Sequence, residues 1–413
     1  MKNFEFFVPA DILFGRGQED NLPERLKGYG KKILMTYGGG SIKRSGLYDK
    51  LLGLLKDFEI FELSGIEPNP RVSTVNKGVE ICRKEGIDMI LAVGGGSTID
   101  CSKAIAAGAY YDGDAWDLVT GKAPIENALP LAVVLTLAAT GSEMDCAAVI
   151  SNEETEEKLL MGHPLLLPKV SVLNPENTFS VPAYQTASGA ADMMSHILES
   201  YFDQEEAFVP DAISEGLLRA VIKYAPIALK DPENYEARAQ LMWTSSLALN
   251  GLVTTGKNFM WSCHYIEHEL SAHYDITHGA GLAMLTPKWM RYVLSDETVD
   301  KFYTYAVNVW GVTPAEDKFA VANAGIDATE EFFKSIGLPV TPGEFKIDDS
   351  RFEEMAAKAV EVGRLDGAYV PLNEKDSENV YVIYFNEKQL LRLLLLSLID
   401  TMSGYRYNKF QSI

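Results

Sequence analysis

The chain has 413 residues, 47% hydrophobic and 23% charged, an ordinary globular composition of a length that suggests about two or three domains. Its 37 basic and 58 acidic residues give a net charge of −21, with no run of Lys or Arg. That balance argues against nucleic acid and anionic membrane surfaces as partners. Cys82, Cys101, Cys146 and Cys263 lie far apart without a C-x-x-C, which points to a reducing, cytoplasmic setting rather than a disulfide framework.

In chain order, Lys32 to Tyr37 reads as a strand that runs into Gly38-Gly39-Gly40-Ser41, and Leu47 to Phe58 reads as a helix. Met89 to Val93 reads as a buried strand, followed by Gly94-Gly95-Gly96-Ser97 and a helix over Thr98 to Ala107. Leu131 to Leu135 and Val170 to Leu173 complete the strand series. Continuous apolar runs separated by helical patterns predict a parallel sheet covered on both faces. After about Pro182 helical patterns dominate: Tyr184 to Phe202, Asp211 to Leu229, Ala237 to Leu249, Thr298 to Trp310, Pro314 to Ile336 and Glu387 to Met402. The expected division is an α/β domain over 1–182 and an all-helical domain over 183–413. No repeat of period 20–50 and no low-complexity tract is present.

The run Val93-Gly94-Gly95-Gly96-Ser97-Thr98-Ile99-Asp100 joins a strand to a helix start. Its glycines let backbone approach a ligand, Ser97 with Asp100 reads as a capping pair, and the free N–H groups of the first turn form an anion site suited to a pyrophosphate. The same logic applies at Gly38-Gly39-Gly40-Ser41-Ile42-Lys43. A site that selects NAD often sets an acidic side chain on the adenosine ribose. None lies between Tyr37 and Lys43, and Ser41 and Lys43 suit a 2′-phosphate, so NADP(H) is expected rather than NAD(H). Thr136 to Glu143, after a third strand, offers small hydroxyl side chains that line the groove or cap the strand exit.

Four of the six histidines, His264, His268, His273 and His278, fall within fifteen residues. Asp192 and His196 are i and i+4 on one helical face, as are His264 and His268. One carboxylate and three imidazoles suit a borderline divalent ion with positions left for substrate. His264-Tyr265-Ile266-Glu267-His268 also matches H-x-x-E-H, a zinc-protease pattern with Glu267 as base. That rival leaves the glycine loops and the Asp192/His196 pair without a role.

Gly94-Gly95-Gly96-Ser97 with Asp100, Thr140-Gly141-Ser142-Glu143, Asp192-x-x-x-His196, and His264-x-x-x-His268 followed ten residues later by His278-Gly279 together resemble the iron-containing (group III) alcohol dehydrogenase family. The branch they resemble is that of butanol dehydrogenases and NADPH-dependent aldehyde reductases. The likeness runs from about residue 5 to 290; the tail from Tyr384 onward matches nothing. It implies an α/β N-terminal dinucleotide-binding domain with a Rossmann-like parallel sheet and an all-α C-terminal domain, the dehydroquinate synthase-like arrangement, with a cleft between. It implies a metal held by Asp192, His196, His264 and His278, with His268 near the nicotinamide as the catalytic group rather than a ligand. Gly38, Gly39 and Ser41 fall at the adenosine end. Gly95, Gly96, Ser97, Asp100, Thr136, Thr140 and Lys158 surround the pyrophosphate and ribose.

The implied reaction is reversible hydride transfer between NADP(H) and a primary alcohol or its aldehyde, with the metal polarising the carbonyl oxygen and His268 relaying a proton. Fe²⁺ is favoured by the family name, with Zn²⁺ the alternative. A homodimer is the expected assembly. A glycerol dehydrogenase-like polyol oxidoreductase is the neighbouring alternative. Phe259, Met260 and Trp261, with Met144 and Met193, are candidates for an apolar pocket or for core.

Overall fold

The computed structural model of the protein describes residues 1–382, so the helix expected over Glu387 to Met402 and the tail from Tyr384 lie outside the described residues. The N-terminal part runs β1 (Asp11–Phe14), α1 (Leu22–Leu26), β2 (Lys32–Tyr37), α2 (Ser41–Arg44), α3 (Leu47–Leu54), β3 (Glu59–Ser64), α4 (Val72–Glu85), β4 (Met89–Gly94), α5 (Gly96–Gly108), α6 (Trp116–Val119), β5 (Leu131–Leu135), β6 (Ala147–Asn152), β7 (Glu157–Gly162) and β8 (Val170–Leu173). Six strands form one parallel sheet in the order β1-β8-β5-β4-β2-β3, while β6 and β7 form a separate antiparallel hairpin. Successive residues of each strand face opposite ways. Ile33 and Met35 pack with α1 and α3, whereas Leu34 joins Val75, Val79, Ile99 and Ile105 of α4 and α5.

Strand order positions the loops. The chain leaves β2 for β3 on one side and later takes β4 and β5 on the other, so a topological switch point lies between β2 and β4. In such sheets a crevice opens there, outside the carboxyl ends of the strands. Tyr37 pairs with Val93 and Gly94 with Leu135, which sets the loops starting at Gly38, Gly95 and Thr136 side by side.

The helical part comprises α7 (Ala183–Tyr201), α8 (Phe208–Lys230), α9 (Tyr235–Leu249), α10 (Cys263–Tyr274), α11 (His278–Val293), α12 (Val299–Trp310), α13 (Lys318–Ser335), α14 (Pro342–Phe345), α15 (Phe352–Gly363) and α16 (Glu374–Val382). Its centre is α7, buried at every position from Thr186 to Tyr201. A helix apolar on all sides belongs in a core, so each polar residue on it needs a partner or a purpose. No helix among the described residues is long and apolar enough to cross a membrane.

Several expectations differ from the structure. The helix from Leu47 ends at Leu54, and Glu59–Ser64 is an edge strand whose outward Glu59 and Glu62 disguise it. The edge strand β1 and the hairpin β6–β7 are absent from the strand series expected above, and the helix expected from Pro314 begins at Lys318. The N-cap of α5 is Gly95, with no side-chain cap, so Ser97 lies inside the first turn and does not cap.

Candidate active site

Asp192, His196 and Glu199 are i, i+4 and i+7 on α7 and share one face. His264 lies on the first turn of α10 and His278 starts α11, so three helices supply the four candidate ligands. Asp192 Oδ1 lies 3.6 Å from His196 Nε2, 3.8 Å from His264 Nε2 and 3.7 Å from His278 Nε2. Ligands about 2.1 Å from a shared tetrahedral centre stand about 3.4 Å apart, so each imidazole lies near ligand spacing from Asp192, and Asp192, His196 and His264 are also mutually close, with His278 beside them. Asp192 Oδ1 and His264 Nε2 are buried without a hydrogen-bond partner. Buried polar atoms rarely go unpaired, and a set converging on one point fits a cation.

The other nitrogen of two rings is occupied. His264 Nδ1 is hydrogen-bonded to Glu199 and His278 Nδ1 to Glu267, both contacts short. Burial opposes a charged His264, but Glu199 and Asp192 outweigh it and raise the ring to about 9. Burial lowers His196 to about 4 and, with Lys158, pushes His268 and His278 well below the usual value. Burial would lift the Asp192 carboxyl, yet the three imidazoles hold it below the ordinary carboxylate range.

A second set, Glu267, His268 and His278, also has ligand atoms close together. It is a poor cation site, because Lys158 Nζ stands 3.5 Å from Glu267 and 3.4 Å from His278 Nδ1. Glu267 also accepts the Ser271 hydroxyl. These engagements leave it unavailable as the free base that the H-x-x-E-H pattern requires. The His264 and His268 rings stand 6.4 Å apart and nearly perpendicular. Nδ1 of His268 is buried and unpartnered.

Close helix packing makes the cluster. A Cβ on Gly279 would lie 2.0 Å from the Ser188 carbonyl oxygen, so only glycine lets the start of α11 press against α7 beside Asp192. Gly279→Ala is expected to destabilise the fold by about 1–3 kcal/mol and to swing His278 away from Asp192. Thermal melts with metal analysis check this; full metal content at unchanged stability would contradict it.

In the crevice, Gly95, Ser97, Thr136 and Thr140 are half-buried, Gly38 is likewise accessible, and Gly39 and Ser41 are exposed. A Cβ on Gly96 would meet Thr140 at 2.4 Å and one on Gly95 would meet Leu137 at 2.9 Å. The glycines thus let two loops close into a cradle, and the first N–H groups of α5 have no intrahelical acceptor. This cradle fits a pyrophosphate.

Two expected cofactor residues have other partners. Asp100 accepts from Ser142 Oγ at 2.6 Å and from the Val149 N–H at 3.0 Å, tying α5 to β6 and to the turn before it. Both its oxygens are engaged within the protein. Lys158, only 5% exposed, reaches from β7 to Glu267 and His278. Of the remaining histidines, His273 meets Arg351 at 2.7 Å, and His163 accepts the Leu165 N–H.

The sequence reading overlooked Glu62, Glu199 and the pairing of Glu267 with His278. Glu62 accepts the Tyr37 and Tyr48 hydroxyls at 2.5 and 2.6 Å and lies 3.7 Å from Lys43, beside the Gly38–Ser41 loop. Trp261 packs on His264 and His196 with ring centres 4.4 and 5.6 Å away, and Phe259 packs on Trp261, forming an apolar wall at the cluster. Met193 belongs to the helical core.

Residues 9–175 match the family described as iron-containing alcohol dehydrogenase, and residues 186–384 match its C-terminal domain model. The chain is 52% identical to NADH-dependent butanol dehydrogenase A of Clostridium acetobutylicum, over 92% of this chain and 99% of that one. It is 38% identical to the NADPH-dependent aldehyde reductase YqhD of Escherichia coli, over 88% and 94%. The crystal structure of NADH-dependent butanol dehydrogenase A from Thermotoga maritima superposes with a TM-score of 0.89 at 40% identity, covering 93% of this chain and 99% of that chain. With both halves matched and relatives alike over nearly their whole length, the chain belongs to the iron-containing alcohol dehydrogenase family.

Proposed function

We propose that the protein interconverts short-chain aldehydes and primary alcohols with NAD(P)H, and that Asp192, His196, His264 and His278 hold the divalent ion. The observation that carries this is three Nε2 atoms within 3.6–3.8 Å of the buried Asp192 Oδ1, that oxygen and His264 Nε2 lacking any partner. When bound, the ion supplies a Lewis acid for the carbonyl oxygen and the nicotinamide supplies hydride.

This chain's residues do the rest. The backbone at Gly95, Gly96 and Ser97 receives the pyrophosphate, Thr136 and Thr140 flank it, and Gly38, Gly39 and Ser41 bound the adenosine end. Lys158 places a positive charge between β7 and the histidine cluster. The wall of Trp261 and Phe259 excludes water and suits an alkyl chain better than a polyol. His268, buried with Nδ1 free, moves the proton of the product hydroxyl. His268→Ala is expected to lower kcat about 100-fold, within the usual range for a general acid–base group, while metal content stays intact; loss of metal would make it a ligand instead.

Lys43 and Ser41 support NADPH as the preferred cofactor, against the pull of Glu62 on Lys43. Fe²⁺ is the proposed metal, in keeping with the family description. A homodimer is proposed through β1, an edge strand preceded by exposed Phe4, Phe6 and Phe7. Light scattering tests the dimer, with a monomer at micromolar concentration contradicting it. Four free cysteines support a reducing, cytoplasmic setting. The deciding experiment is an anaerobic assay of butanal reduction with NADPH and with NADH, with metal analysis of the same sample. A higher kcat/KM with NADH overturns the cofactor preference, and full activity in metal-free protein overturns the metal's role.

A further inference from the structure

We infer that Glu199 and Glu267 are positioning residues of the metal centre, each fixing one ligand imidazole through Nδ1. The inference rests on the ligand set proposed above and extends it to residues that touch neither the ion nor the substrate.

Glu199 leaves the same face of α7 as Asp192 and His196, and it is buried. It accepts His264 Nδ1, the Ser262 and His264 N–H groups at the start of α10, and the Ser195 hydroxyl at 3.2 Å. One carboxylate thus caps α10 and orients the ring that α10 carries. Glu267, on α10, is 0% exposed. It accepts His278 Nδ1 and the Ser271 hydroxyl and faces Lys158 at 3.5 Å. A ring that donates Nδ1–H to a carboxylate has its lone pair on Nε2, and in both rings Nε2 faces Asp192 Oδ1. The carboxylates therefore select the tautomer that binds metal, and they make each nitrogen a stronger donor.

His196 has no such partner, since its Nδ1 is unpaired. It is held instead by stacking on His264, with ring centres 4.7 Å apart and 18° between planes.

The test uses full-length protein stripped of metal anaerobically and titrated with Co²⁺ against a chromophoric chelator. Glu199→Gln and Glu267→Gln are expected to raise the Co²⁺ Kd about 10- to 100-fold and to shift the Co²⁺ d–d spectrum. NADPH affinity should stay near wild type; the metal-free melting temperature falls with the lost α10 cap or Lys158 partner, and the Co²⁺ spectrum, which a merely structural loss would not move, separates positioning from a structural role. Glu143→Gln is the control, a buried carboxylate bonded to Ser246 and to no candidate ligand. Co²⁺ affinity within twofold of wild type in both Gln variants overturns the inference. Failure of wild type itself to bind Co²⁺ would overturn the ligand set and the inference with it. Should either variant fail to fold, NMR of wild-type protein labelled with ¹⁵N-histidine and loaded with Zn²⁺ reads the same claim. Two ligand rings protonated at Nδ1 support it, and a proton on Nε2 of His264 or His278 overturns it.

Discussion

Asp192→Ala is expected to weaken divalent-metal binding on the order of 10³-fold and to abolish aldehyde reduction. Losing an outer partner of a metal ligand typically costs 10- to 100-fold, and Asp192 is closer than that. Its Oδ1 is the point from which all three Nε2 atoms lie 3.6–3.8 Å away. Without it, three imidazoles remain around a hole on the buried stretch of α7, with no carboxylate oxygen facing their Nε2 atoms. Asp192→Asn separates the two contributions. It keeps the shape but removes the charge, so its loss should fall between wild type and Asp192→Ala. His264→Ala should match Asp192→Ala in metal loss. The measurements are metal content after dialysis against a chelator and the rise in melting temperature on adding Fe²⁺ or Zn²⁺, a shift that only a state binding the ion shows. Stoichiometric metal and wild-type kcat in Asp192→Ala would remove the central oxygen from the mechanism.

How much of this was visible before the structure depends on range. Lys32–Tyr37, Leu131–Leu135 and Val170–Leu173 were read with the boundaries observed, because strands buried on both faces are continuous apolar runs bounded by Gly, Pro or Asn. The edge strand Glu59–Ser64 is partly solvated, so exposed Glu59 and Glu62 break the apolar run that marked the other strands. The β6–β7 hairpin was hidden by the acidic turn of Asn152 to Glu157. Its Lys158, expected beside the pyrophosphate and ribose, is buried under α10 and faces Glu267 and His278 instead. The Asp192 and His196 pair was legible from helical spacing, and Glu199 completes that spacing at i+7. A lone glutamate on a helix ordinarily faces water, and only the burial of α7 from Thr186 to Tyr201 shows that this one does not. The partners of Asp100 illustrate the limit. Ser142 and Val149 lie 42 and 49 residues away, and local pattern carries no information about such pairings.

Lys103→Met is the second large effect, an expected destabilisation of about 3–5 kcal/mol, the range for breaking a buried ion pair by removing one partner. The Lys103 side chain is 0% exposed, one turn beyond Asp100 on α5. Its ammonium donates to Ser142 Oγ at 2.8 Å, Asp145 Oδ1 at 2.5 Å and the Ala147 carbonyl at 2.7 Å. Ser142 passes the connection to Asp100. Burial already raises the Asp100 carboxyl to about 6, with Lys103 the strongest influence holding it down, and Asp145 is raised for the same reason. A carboxyl with its folded value above its ordinary 3.8 binds more protons folded than unfolded, so its contribution to stability falls as pH rises from 3.8 to about 6. Without Lys103 both carboxyls rise further. The deficit should therefore be larger at pH 8 than at pH 5, and adding Asp145→Asn should restore part of it. Urea unfolding at the two pH values measures this; a loss below about 1 kcal/mol, or one independent of pH, would show that the network contributes little. Because α5 begins at the Gly96–Ser97 turn, loosening it against the 142–149 segment should also weaken NADPH binding while leaving metal content unchanged, since the ligand helices lie in the other half of the chain.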